Sequence, residues 1–183
     1  MWRLPRLRAV AVAALALVVT ACASQRPAPV IIAEPPQAPR EAPVPPPPAL
    51  GPPEIVQSHP PLQCVPFARQ ASGVEIYGDA HTWWAKAEGR FRRTHAPVLG
   101  AVMVMRGYRS AHRGHVAVVT HIHSRREILV DHANWLNRGE VSVRTPVVDV
   151  SPAGDWSQVR VWYIPTGQWG ARIYSVQGFI HQG

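Results

Sequence analysis

The chain predicts an α+β domain in which short N-terminal helices pack on an antiparallel β-sheet. Three observations carry this expectation. Two helix patterns come first, five β-branched and aromatic runs follow, and both lie beyond a proline-rich stretch that ends near Leu62. Helices grouped ahead of strands, rather than alternating with them, favour a segregated antiparallel sheet over parallel βαβ units.

The first helix is "CVPFARQASG", Cys64 to Gly73. Pro66 suits a first turn, where its missing N–H has no intrahelical partner, and Gly73 suits the left-handed stop. The second is "DAHTWWAKAEG", with Asp79 as N-cap and Gly89 as terminator. The strands are "AVMVMR", "HVAVVTHI", "EILVDHA", "VSVRTPVVDV" and "VRVWYIP", separated by Gly, Ser and Asn.

Ahead of this domain, Arg3, Arg6 and Arg8 precede the apolar run "AVAVAALALVVTA", Ala9 to Ala21. Thirteen residues are too few to cross roughly 30 Å of hydrocarbon as a helix, so the run reads as a signal h-region. It ends in "VTAC", which resembles the bacterial lipobox. That resemblance implies cleavage before Cys22, lipid on Cys22 and, with Ala23 rather than aspartate next, anchoring to the outer membrane of a Gram-negative bacterium on its periplasmic side. The alternative is an ordinary signal peptide cut after Ala23. Pro27 to Pro61 then holds fourteen of the twenty prolines. Such a segment buries too little to offset the entropy of ordering and is expected to stay extended. The expected organisation is a lipoprotein signal at 1–22, a Pro-rich linker at 23–61 and one domain at 62–183, of about 120 residues.

The formal charge is +8, carried almost wholly by arginines, with Lys86 the single lysine. No basic run tracks a helix or interleaves with aromatics, so nucleic acid is not an expected partner. A mild positive excess is compatible with an anionic envelope polymer. The expected state is a monomer.

The chain has two cysteines, Cys22 and Cys64. With Cys22 removed or lipidated, Cys64 has no disulfide partner, although disulfides are the usual employment of cysteine in an oxidising compartment. Its place at a helix start predicts a lowered thiol pKa and a reactive thiolate. His115, after Gly114 at a strand start, is the best candidate base.

At these residues a resemblance enters. "QCVPFARQASG", "GDAHTWWAKA", "PVLGAVMVM", "GHVAVVTHI" and "ILVDHANW" resemble, in order, successive blocks of a CHAP domain (cysteine, histidine-dependent amidohydrolase/peptidase). These domains are relatives of the NlpC-type peptidases in the papain-like superfamily. The resemblance implies a papain-like fold and hydrolysis of peptidoglycan amide bonds, at N-acetylmuramoyl-L-alanine or within the stem or cross-bridge. It implies Cys64 as nucleophile and His115 as general base and acid, with Gln63 and the Cys64 backbone N–H at the oxyanion. No cofactor or metal is implied, since Glu75 and Asp79 alone do not make a calcium loop.

The third catalytic member departs from the common "E-x-N-W" pattern. "VDHANW" puts His132 in the acidic residue's place, two before Asn134, with Asp131 as the alternative. Strand alternation places Val130, His132 and Asn134 on one face and Asp131 on the other, so His132 is expected to orient His115, with Asn134 nearby. Trp83, Trp84 and Trp135 are candidates to line a substrate groove. Two rivals stay open. One is a zinc hydrolase using His115, His121, His123 and His132. The other is a non-catalytic lipoprotein that binds the cell wall.

Overall fold

The computed structural model describes residues 50–183. The expected signal segment, Cys22 and most of the expected linker lie outside the described residues.

The helix at Cys64–Ser72 (α1) forms as its local sequence dictates, with Gln63 at the N-cap and Gly73 closing it at φ 70°. The second helix is shorter than its pattern suggests. Ala80–Thr82 is a 3₁₀ turn, and only Trp83–Lys86 (α2) is α-helical. Asp79 precedes the turn without making a side-chain cap. With no capped start, the segment stays too short for a regular helix to extend.

The strands are β1 (Glu54–Val56), β2 (Arg92–Thr94), β3 (Val102–Gly107), β4 (Ser110–Ser124), β5 (Glu127–Ala133), β6 (Val141–Asp149), β7 (Gln158–Tyr163), β8 (Gln168–Trp169) and β9 (Tyr174–His181). All their pairings are antiparallel. The result is a β-rich α+β fold, but the sheet is not open. β3, β4, β5 and β6 pair in sequence, β7 joins β6, and β9 bridges β7 to β3. That ring is a closed barrel, which removes the free edges a meander would expose.

Closure gives the strands two packed faces. Met103, Met105, Ala117, Val119, Ile128, Val130, Val147, Val159, Val161 and Phe179 fill one core with Trp156. Their alternates Val102, Val104, Val116, Val118 and Ile180 form a second core with Ala68, Val74, Ile76 and Trp83 beneath the helical segment. The unbroken apolar run "AVMVM" follows from this, because β3 is covered on both sides.

Three elements depart from the expected organisation. Glu54–Val56, inside the span read as linker, pairs with β6 as an edge strand. Arg144 holds it there: its guanidinium pairs with Glu54 at 2.9 Å and donates to the carbonyls of Gly51 and Pro52. β4 begins at Ser110, so His115 lies within a strand and does not open it. β9, read from no sequence pattern, completes the barrel.

Candidate active site

His115 and His132 lie on β4 and β5 with the same alternation as the barrel-filling residues Ala117, Val119, Ile128 and Val130. They therefore project from the inner face at one mouth of the barrel. Nε2 of His115 is 2.9 Å from Nδ1 of His132. The indole of Trp135 packs against both rings, at 4.8 Å from His115 and 5.1 Å from His132.

Cys64 is the first residue of α1 and is half-buried. The backbone N–H groups of Val116, the residue after His115, of Val65 and of Cys64 itself act on the sulfur as stabilising dipoles. The thiol thus sits by the backbone of the strand that carries His115. Gly114 permits the 3₁₀ turn at Ala80–Thr82 to approach the strand just before His115, since a Cβ there would lie 2.6 Å from the backbone nitrogen of His81.

The loop after β5 positions the residues before the thiol. Asn134 adopts φ 61° and leaves the strand. Its Nδ2 donates to Oε1 of Gln63 at 2.8 Å, and its Oδ1 accepts from the Gly139 backbone at 2.9 Å. Leu62 N–H donates to the Gly139 carbonyl at 2.9 Å. A Cβ at Gly139, where φ is 72°, would meet Pro61 at 2.3 Å. The buried Glu140 accepts the N–H groups of Leu136 and Arg138, fixing this loop from within. One ordered turn thereby couples the end of the His132 strand to the start of the Cys64 helix.

These contacts assign places to the expected residues. His115, His132 and Trp135 pack on one another at the barrel mouth, and Cys64 lies by the backbone of Val116, the residue after His115. Asn134 joins Gln63 and does not meet the histidine pair. Its Oε1 engaged by Asn134, Gln63 keeps its amide N–H groups free of that contact. Asp131 points away from the pair and accepts the Arg144 N–H at 2.7 Å. Two tryptophans are corrected. Trp83 is fully buried, donating Nε1 to the Gly78 carbonyl, and belongs to the second core. Trp84 packs against Arg93 and His95 at the β2 side. Neither lines the cavity that Trp135 borders. His121 and His123 sit far along β4, and a bulge between Val119 and His121 interrupts the alternation that had aligned them with His115. Among the described residues, no three His, Cys, Asp or Glu side chains cluster as a metal site requires.

The electrostatics overturn one expectation. Burial pushes the Cys64 thiol up from its ordinary value, and the backbone donors offset this only in part. Burial also lowers His115 to about 3 and lowers His132, which is further depressed by His115 beside it. A helix start alone does not make a thiolate when desolvation dominates. The resting pair is therefore neutral thiol and neutral imidazole.

That neutrality has a consequence for stability. In the unfolded chain these histidines titrate near the ordinary value of about 6.5, and His115 folded titrates at about 3. Between those values the unfolded state holds the proton that the folded state excludes. The stabilisation is complete above the upper value and is lost as pH falls through the window, by at most about 1.4 kcal/mol per pH unit for each histidine. Thermal unfolding from about pH 7 to about pH 4 should show a falling Tm. His115→Gln should flatten that slope, and an unchanged slope would mean that His115 titrates normally.

A half-buried thiol at a helix start, beside one of two neighbouring strands that hold an imidazole pair, is a side-chain set equipped for nucleophilic hydrolysis. Residues 56–134 match the CHAP domain family, whose members are typically cysteine, histidine-dependent amidohydrolases or peptidases. The match supports a CHAP domain in this stretch and, in general terms, peptidoglycan hydrolase or amidase/peptidase activity. No curated protein matches the chain.

Sequence inspection missed the groove residues beyond Trp135, among them Arg138, Tyr163, Trp169, Arg172 and Tyr174. They come from separate loops and strands, and no spacing in the chain marks them as neighbours. The burial of Glu140 was equally silent, although the "NRGE" turn around it carries the local signal of Asn and Gly.

Proposed function

We propose that this protein is a thiol-dependent peptidoglycan hydrolase with a papain-like site. Cys64 is its nucleophile, His115 its general base and acid, and His132 the residue that orients His115. The observation that carries the reading is the 2.9 Å contact between His115 Nε2 and His132 Nδ1, with the backbone N–H of Val116, the next residue of the same strand, acting on the Cys64 sulfur.

The chemistry follows from the tautomers. For His115 to act as base, its Nε2 carries the proton and donates to His132, leaving Nδ1 bare for the thiol. Because both groups rest neutral, deprotonation accompanies attack. Nδ1 takes the thiol proton as sulfur adds to the amide carbonyl carbon. The resulting oxyanion is stabilised by the Cys64 backbone N–H and the Gln63 amide, which Asn134 holds by its oxygen. The C–N bond then breaks, and the imidazolium gives its proton to the departing amine. Water, deprotonated by the same nitrogen, attacks the thioester and releases a carboxylate and the thiol.

The test uses purified sacculi. New amino and carboxyl ends should appear without new reducing sugar ends, and a chelator should leave the rate unchanged. Reducing ends, or loss of activity to the chelator alone, would overturn the thiol amide-hydrolase reading. Binding to sacculi with no new ends would instead favour the non-catalytic wall-binding reading.

The same proposal places the domain in the periplasm, held to the outer membrane by lipid on Cys22. The support is the "VTAC" sequence after a short apolar run. Cys22→Ala should move the protein from the membrane to the soluble fraction. Wild-type protein that takes up no labelled palmitate would refute the anchor.

A further inference from the structure

A cavity of about 720 Å³ shares Trp135 with the histidine pair. Trp135 forms its inner wall, packed on His115, His132 and, at 5.2 Å, Tyr174. From there the groove runs over Tyr163 and Trp169 and is flanked by Arg138 and Arg172. No Asp or Glu side chain lines it. Its whole wall lies beyond the CHAP match, in residues 135–174.

The two arginines are not neutralised by neighbouring carboxylates. Among the described residues the ion pairs engage Arg93, Arg126 and Arg144. Arg172 lies over the Tyr108 ring at 4.9 Å, a contact that steadies the guanidinium without satisfying its charge. Glu140 is the nearby carboxylate on the Arg138 loop, but it is buried and spends its oxygens on the Leu136 and Arg138 backbone. A groove walled by aromatic rings and two unpaired guanidiniums, joined to the histidine pair through Trp135, matches a ligand with apolar stems and negative ends.

We propose that this groove is a substrate subsite for a peptide strand bearing free carboxylates, which Arg138 and Arg172 select over the carboxamide form. This rests on the hydrolase reading for its place beside the scissile amide. The aromatic walls bury the aliphatic parts of the peptide, while the arginines bind its carboxylates through charge-assisted hydrogen bonds.

The experiment reads binding without turnover, using full-length Cys64→Ala protein and two synthetic cell-wall stem peptides. One carries free side-chain and terminal carboxylates; its twin has them as carboxamides. Calorimetry should show the acid form binding about tenfold tighter or more, with affinity falling as salt rises. In the same background, Arg138→Gln with Arg172→Gln should reduce that preference to about twofold, with an unchanged circular dichroism spectrum. Equal binding of the two peptides, no binding of either, or a preference that survives the double substitution would overturn the proposal. An acid preference in a protein whose wild type releases no ends from sacculi would keep the subsite and remove the hydrolase.

Discussion

Cys64→Ala should abolish release of new ends from sacculi, a loss of about 10⁴-fold or more, because no other group replaces the nucleophile. The substitution removes one sulfur from a half-buried position at the first residue of α1. The helix, its αL stop at Gly73 and the barrel do not depend on that atom, so circular dichroism and Tm should change little. Alkylation adds a check on the resting state. With the thiol pKa raised by burial, iodoacetamide should modify Cys64 more slowly than a free model thiol at neutral pH, and the rate should climb as pH rises. Rapid modification at neutral pH would show a resting thiolate. Full hydrolysis by Cys64→Ala would remove the thiol mechanism itself.

His132→Ala should lower kcat by about 10²-fold or more, toward the losses that follow from a misoriented catalytic imidazole. The productive tautomer needs an acceptor at His115 Nε2, and His132 Nδ1 supplies it at 2.9 Å. Without it, His115 is free to carry its proton on Nδ1, the nitrogen that must accept from the thiol. His132 is fully buried, so its removal also leaves a void. His132→Gln, which keeps an acceptor of similar reach, separates orientation from packing and should recover part of the rate at equal or lower stability. Asp131→Ala should leave kcat within a few-fold and cost about 1 kcal/mol, for the hydrogen bond it accepts from Arg144. The opposite ranking on folded proteins would make Asp131 the orienting group.

The parts of this domain legible in its sequence are those fixed within a few residues. Pro66 and Gly73 bracket α1 because a first turn and a left-handed stop are local demands. Alternation alone separated His132 from Asp131, and the contacts of the two side chains follow that division. What was hidden depends on distant partners. β9 reads weakly, with Gln177 and Gly178 interrupting its apolar residues, and its place is set by β3 and β7. Pro52 and Pro53 make Glu54–Val56 look like linker, whereas Arg144, far along the chain, makes it a strand. Trp83 and Trp84 are adjacent on one short helix, and only the packed fold decides that the first is core. The thiol followed the same logic. Its helix start was visible, but the burial that outweighs it was not.

The position of β9 governs when the molecule can assemble. It lies between β3 and β7, carries Phe179 into one core and Ile180 into the other, and is made after the other eight strands described here. Until residues near His181 have emerged, β3 lacks its second neighbour, and the ring that presents His115 and His132 cannot close. Such late, long-range pairing raises contact order and slows the final step of folding. A partly emerged chain therefore carries the cysteine and both histidines without the enclosure that brings them together. Strand order delays the arming of the site until β9 has been made.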